Sequence, residues 1–114
     1  MSESAESRFV KFAKEHRRST LSGGSEETNL AYKNMIKALH EIRSTPDKGV
    51  NFLREVASED DKGVAAWAAL YLLPYDETKA IEVLEQVASL GVPRLSFGAR
   101  ITLSEWKAGR LKVD

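Results

Sequence analysis

The sequence predicts an all-α fold: a compact right-handed α-α superhelix of about three helical hairpins, six helices in all. Three observations carry that expectation. Apolar residues recur at three- and four-residue spacing along most of the chain, and no segment of strand length alternates apolar with polar. Clusters of Gly, Pro, Ser, Thr and Asp interrupt this pattern at intervals suited to short helices. A unit also recurs, since LREVAS (Leu53 to Ser58) returns thirty-one residues later as LEQVAS (Leu84 to Ser89).

The first helix is predicted over about residues 4 to 19, with Phe9, Phe12, Ala13 and His16 on one stripe and basic residues around the rest. SGGS (Ser22 to Ser25) breaks it. Ser25 is the expected N-cap of the second helix, with Glu26 and Glu27 favoured by the positive end of the helix dipole. Its stripe is Ala31, Met35, Ala38, Leu39 and Ile42, and it runs to about Arg43. Thr45-Pro46 is expected to restart the chain as cap and first helical residue. The third helix then carries Val50, Phe52, Leu53, Val56 and Ala57. Asp60 or Asp61 caps the fourth, which stops at Pro74 because proline lacks the N–H needed to continue. The fifth begins at Asp76, buries Ala80, Ile81, Leu84, Val87 and Ala88, and ends at Gly91. Pro93 is expected to open the sixth, which carries Leu95, Ala99, Leu103 and a core Trp106 before Gly109.

Residues 46–74 align with 77–105 without a gap. Leu53, Val56, Ala57 and Ser58 meet Leu84, Val87, Ala88 and Ser89; Ala68 meets Ala99 and Leu72 meets Leu103. In the second helix of each unit, an aliphatic, a small and an aliphatic residue stand four apart. The small residue lets two helices approach closely while its neighbours fill the adjoining layers. This pattern resembles the inner helix of HEAT-like repeats, in units shorter than the usual repeat of about 40–47 residues. The expected organisation is one helical-repeat domain spanning 1–114. Residues 1–45 form a divergent N-terminal hairpin, 46–75 and 76–109 form the two repeats, and 110–114 form a frayed tail.

The order of segments also carries a family resemblance. FVKFAKEH is followed by a Gly/Ser break, TNLAYKNMIKALHEIRS, LREVAS, VAAWAALYLLPYDETKAIEVLEQVAS and LSFGARITLSEWKAGRL. Over roughly residues 5 to 111 this resembles the small bacterial family catalogued as domain of unknown function 2019. The most specific stretch runs from Ala99 to Gly109. The resemblance implies a compact α-superhelix and transfers no catalytic residue. Some compact helical-repeat proteins of this kind look like immunity proteins, which implies a toxin as partner.

Composition narrows the function. Lys plus Arg equals Asp plus Glu at 17, so the formal net charge is zero, which disfavours a dedicated nucleic-acid or membrane-surface binder. The charge is polarised, with nine acids and four bases from Asp47 to Glu85, and five bases and two acids from Arg94 to Asp114. The absence of cysteine excludes disulfides and thiolate metal sites and fits a reducing cytoplasm. MSESAESRFV has no apolar stretch of the secretory type, and the apolar run Val64 to Leu73 is too short to span a bilayer.

No catalytic or metal constellation is legible. HEIRS (His40 to Ser44) begins like a zinc-protease motif but places Ser44 where the second histidine must stand. Gly23-Gly24 has no following lysine and is no phosphate loop. Carboxylate pairs such as Glu82 and Glu85 fall on outward helix faces. The expected protein is therefore not an enzyme and needs no cofactor.

Binding is the remaining chemistry. Trp67 and Tyr71 stand four apart off the repeat stripe, so they are either partner-facing anchors or rings packed beneath neighbouring helices. Arg94 and Arg100 begin a basic edge, with Glu105 beside them as a further candidate contact. The function expected is a protein-binding module that neutralises a toxin or enzyme through a groove lined by helices two, four and six. Two alternatives are a nucleic-acid-binding helical repeat using the basic C-terminal face, and a structural adaptor or homodimer.

Overall fold

Six helices account for the regular structure among residues 3–113, the part of the chain that the computed structural model describes: α1 (Ala5–Ser22), α2 (Ser25–Arg43), α3 (Val50–Ala57), α4 (Lys62–Leu72), α5 (Glu77–Ser89) and α6 (Leu95–Lys107). No strand occurs among the described residues. The chain divides into two compact units, the first ending at Phe52 and the second beginning at Leu53.

The first unit is built on the α1–α2 hairpin. The Ser4 hydroxyl accepts from the Ser7 amide at 3.1 Å and starts α1, and Gly23 ends it at φ +83°. In that left-handed turn the Gly24 amide donates back to the Ser19 carbonyl, satisfying an end group that the helix leaves open. Gly24, not Ser25, is the N-cap of α2, and it supplies no side chain. The two-glycine turn is so tight that Ser25 already lies inside the helix. A buried Ser19 hydroxyl, 2.7 Å from that of Thr28, ties the two helices beside the turn. Phe9 and Ala13 of α1 and Ala31, Met35, Ala38, Leu39 and Ile42 of α2 form the core. Phe52 meets Phe9 edge-on, with ring centroids 6.2 Å apart. Phe12 and His16 are half-buried at the margin of this core, and burial lowers the pKa of the His16 imidazole.

Thr45-Pro46 does not open α3. Asp47 holds the turn before it: its carboxylate accepts from the amides of Asn51 (3.2 Å) and Gly49 (2.9 Å), which keep its pKa below the usual carboxylate range. Thr45 serves this turn by donating to the Ile42 carbonyl and to Asp47. Gly49 is required twice over. Its φ is +76°, and a Cβ there would overlap the Ile42 side chain.

The second unit packs α5 against both α4 and α6, and α4 also meets α6. Asp61 caps α4 by accepting from the Gly63 and Val64 amides. Asp76 caps α5 through the Lys79 amide while its other oxygen takes the Arg54 Nε at 2.7 Å, so one carboxylate fixes α5 to α3. The Arg54 guanidinium, first, and the Lys79 amide hold that carboxyl below its ordinary pKa. α3 and α5 end alike: Ser58 donates to the Arg54 carbonyl and Ser89 to that of Glu85, each four residues back. Leu53 and Val56 are buried, as are their offset counterparts Leu84 and Val87. Ile81 and Ala88, expected in the core, are half-buried at its edge, and Val83 is buried instead.

Pro93 does not open α6. Helix begins at Leu95, after Arg94 in an uncommon backbone state at φ 66°, ψ −50°. The expected frayed tail is tied at its start, because the Arg110 and Leu111 amides both donate to the Glu105 carbonyl. Asp114 lies outside the described residues.

Candidate functional site

The candidate site is built on α6, whose two faces differ sharply. Ser96, Ala99 and Leu103 are its buried residues. Ser96 fixes the start of the helix: its hydroxyl donates to the Val87 carbonyl at 2.7 Å and accepts from the Val92 amide at 2.9 Å, joining the end of α5 to the first turn of α6. With that face committed inward, the 100° advance per residue turns positions 97, 101 and 105 to the opposite side. Phe97 is 62% exposed and Ile101 47% exposed, an apolar pair one turn apart. Between them Gly98 borders open space, with no atom within 4 Å of where its Cβ would stand. Arg94 stands one turn before Phe97 and Arg100 beside Ile101, both exposed. The Arg100 guanidinium lies 3.5 Å from the Ala88 carbonyl at the end of α5.

Glu105 continues this face but is occupied within the chain. Arg110 reaches both its carboxylate oxygens, at 2.8 and 3.2 Å, and holds its pKa below the ordinary range. Glu105, expected as a partner contact, is thus paired within the chain at the C-terminal end of α6.

α4 places the aromatic pair elsewhere than a partner-facing reading requires. Tyr71 is only 7% exposed and stacks on Trp67, with ring centroids 6.2 Å apart and an 11° interplanar angle. Tyr71 is therefore a core residue and offers no surface to a partner, and Trp67 is half-buried. The physical reason is local: Tyr71 stands two turns after the buried Val64 and therefore on the same side of α4. Trp106, expected in the core, is half-buried and donates its indole N–H to Glu77 at 2.7 Å, joining α6 to the first turn of α5.

α5 contributes a second feature. Glu77, Thr78, Ile81, Glu82 and Glu85 share one open, outward face of that helix. Three carboxylates surround one aliphatic side chain, the inverse in charge of the α6 face.

Arg94 and Arg100, singled out from the sequence, are exposed, and so are Phe97 and Ile101, which were not named as site candidates. The signal was present, since both lie half a helical revolution from the Leu95/Ala99/Leu103 stripe. His40 is exposed, and among the described residues no three His, Asp or Glu side chains gather where they could hold a metal ion. None of the helices is long and apolar enough, among those residues, to cross a membrane.

Comparison of the chain with family models, curated proteins and solved structures finds no match. The resemblance to domain of unknown function 2019 thus stands as an expectation from sequence.

Proposed function

We propose that this chain is a non-catalytic protein-binding module of the inhibitor or immunity type, which neutralises a toxin or enzyme in a bacterial cytoplasm by covering part of its surface. The observation that carries the reading is the outer face of α6, where Phe97 and Ile101 stand exposed beside Arg94 and Arg100. A solvated helix gains nothing by presenting an aromatic and a β-branched side chain together on the side away from its core. Apolar groups set among charges on a rigid helix match the anatomy of a binding surface, in which a few anchors supply most of the energy and rim charges set orientation and rate.

Inhibition by coverage requires no catalytic group. It requires shape, one or two anchors and complementary charge. Arg94 and Arg100 make an acidic surface the suited partner, and the zero net charge of the chain favours protein over nucleic acid. The test is co-expression with the product of the adjacent gene in its native bacterium. Relief of that product's toxicity or inhibition of its activity, lost with Phe97→Asp, supports the reading. An adjacent product that is unaffected and not retained by the purified chain overturns it.

A further inference from the structure

α6 packs against α5 and α4, and its open side carries a second line of side chains that the fold leaves in solvent. Phe97, Ile101, Ser104 and Ala108 follow one another at spacings of four, three and four residues, and all are exposed. That spacing keeps them along one side of a helix, and it is the spacing of a seam against which a second helix packs. Gly98 adjoins the line with open space where its Cβ would stand, and Ser104 and Ala108 are small. A second backbone can therefore come close beside the two large side chains. The repeat offers an internal comparison. At the offset of thirty-one residues, Phe97, Ile101 and Ser104 correspond to Ala66, Leu70 and Leu73 of α4 and its C-cap. Ala66 and Leu70 are half-buried and Leu73 is 1% exposed. The line that α4 withdraws from solvent is left open on α6.

We propose that an amphipathic α-helix of a partner protein, acidic along its flank, lies on this line. Arg100 and Lys107 stand seven residues apart, hence on the same side of the line, and both are exposed. From Arg94 to Lys112 there are five bases and one acid, and that acid, Glu105, is already paired with Arg110. A helix seated on Phe97 and Ile101 therefore meets positive charge at its edge. Carboxylates one heptad apart on that edge are the groups that complement Arg100 and Lys107. A basic helix is repelled there, and an extended segment finds no sheet edge to join, because the described residues contain no strand. The inference rests on the reading of α6 as a docking face, and it names the secondary structure and the charge of what docks there.

Fluorescence anisotropy of the full chain with a labelled, helix-stapled peptide of about two heptads tests this, the peptide carrying leucines along its seam and glutamates on both flanks. Two control peptides replace the glutamates with lysines, or scramble the order so that the leucines no longer share a face. The expected result is a dissociation constant for the acidic helix at least about tenfold below that of either control, rising with salt. Phe97→Asp raises it at least about tenfold, and because residue 97 is exposed the variant keeps its helical circular dichroism. Arg100→Glu with Lys107→Glu reverses the preference, so that the lysine peptide binds better than the glutamate one. Equal binding of the three peptides overturns the proposal, as does no binding up to about 500 µM or binding indifferent to Phe97→Asp. Self-association of the chain that Phe97→Asp abolishes also overturns it, since the occupant is then a second copy. A failed helix or charge preference leaves the foreign-partner reading intact, because a toxin or enzyme can meet α6 through its loops. Failure to capture or inhibit the adjacent gene's product leaves the docking of an acidic helix intact.

Discussion

α4 and α6 occupy equivalent places in the offset alignment and share its three defining positions, yet they meet different surroundings. Val64, Ala68 and Leu72 correspond to Leu95, Ala99 and Leu103, and the last two pairs are buried in both helices. Away from that stripe the helices part. α4 buries Ala65, Ala69 and Tyr71 as well; at the places of Ala66, Ala69 and Leu70, α6 carries the exposed Phe97, Arg100 and Ile101. A repeated unit therefore fixes one stripe of a helix, and neighbours decide the rest of its circumference. α4 has neighbours on most sides. α6 has one inner side and one open side, and its open side carries residues suited to contact.

The sharpest break of this comparison exchanges residues across it. Ala69→Arg buries an unpaired guanidinium and is expected to cost more than about 4 kcal/mol in urea unfolding, while Arg100→Ala stays within about 0.5 kcal/mol. Truncation gives the same contrast at smaller scale. Leu72→Ala leaves a cavity and costs about 3 kcal/mol, whereas Ile101→Ala, at a solvated position, changes stability by less than about 0.5 kcal/mol. Equality of the two members of either pair, read from the denaturant midpoint, would show that the helices are equally enclosed.

The helix starts differ in the same sense. Asp61→Ala removes the cap of α4 and is expected to cost about 1 kcal/mol in thermal unfolding. At the start of α6, Arg94→Gly relieves a positive φ and is expected to stabilise by up to about 1 kcal/mol. The smallest effect is acid-induced. α4 has no carboxylate within its span, whereas Glu105 of α6 is held by Arg110 with its pKa lowered. A group with a depressed folded pKa stabilises above the unfolded carboxylate pKa and loses that contribution as pH falls through the folded value. The protection of amides at the C-terminal turn of α6, taken relative to the intrinsic exchange rate at each pH, therefore falls as pH drops through the Glu105 pKa.

Much of this was legible in the residues. The α2 stripe is buried at all five expected positions, and Asp61, Asp76, Gly91 and Gly109 punctuate the chain where their chemistry indicates. What escaped has common causes. Pro46 and Pro93 are suited to first helical positions, but adjoining turns took priority: Asp47 and Gly49 hold one, and Arg94 with Ser96 holds the other. Periodicity places a residue on a face without showing what lies opposite that face. Tyr71 thus read as a possible surface anchor and is in the core, whereas Phe97 and Ile101 passed unremarked and are exposed. Local chemistry was readable; the presence or absence of a neighbouring helix was not.

Phe97 lies on the open side of α6 and is the largest apolar side chain there, so a single substitution separates folding from binding. The direct measurement sets wild type and Phe97→Asp side by side against the product of the adjacent gene, reading affinity by titration calorimetry and fold by circular dichroism. The account predicts equal helicity with affinity weakened at least about a hundredfold, as expected for losing a central aromatic anchor. Equal affinity in the two proteins would contradict the assignment of binding to α6.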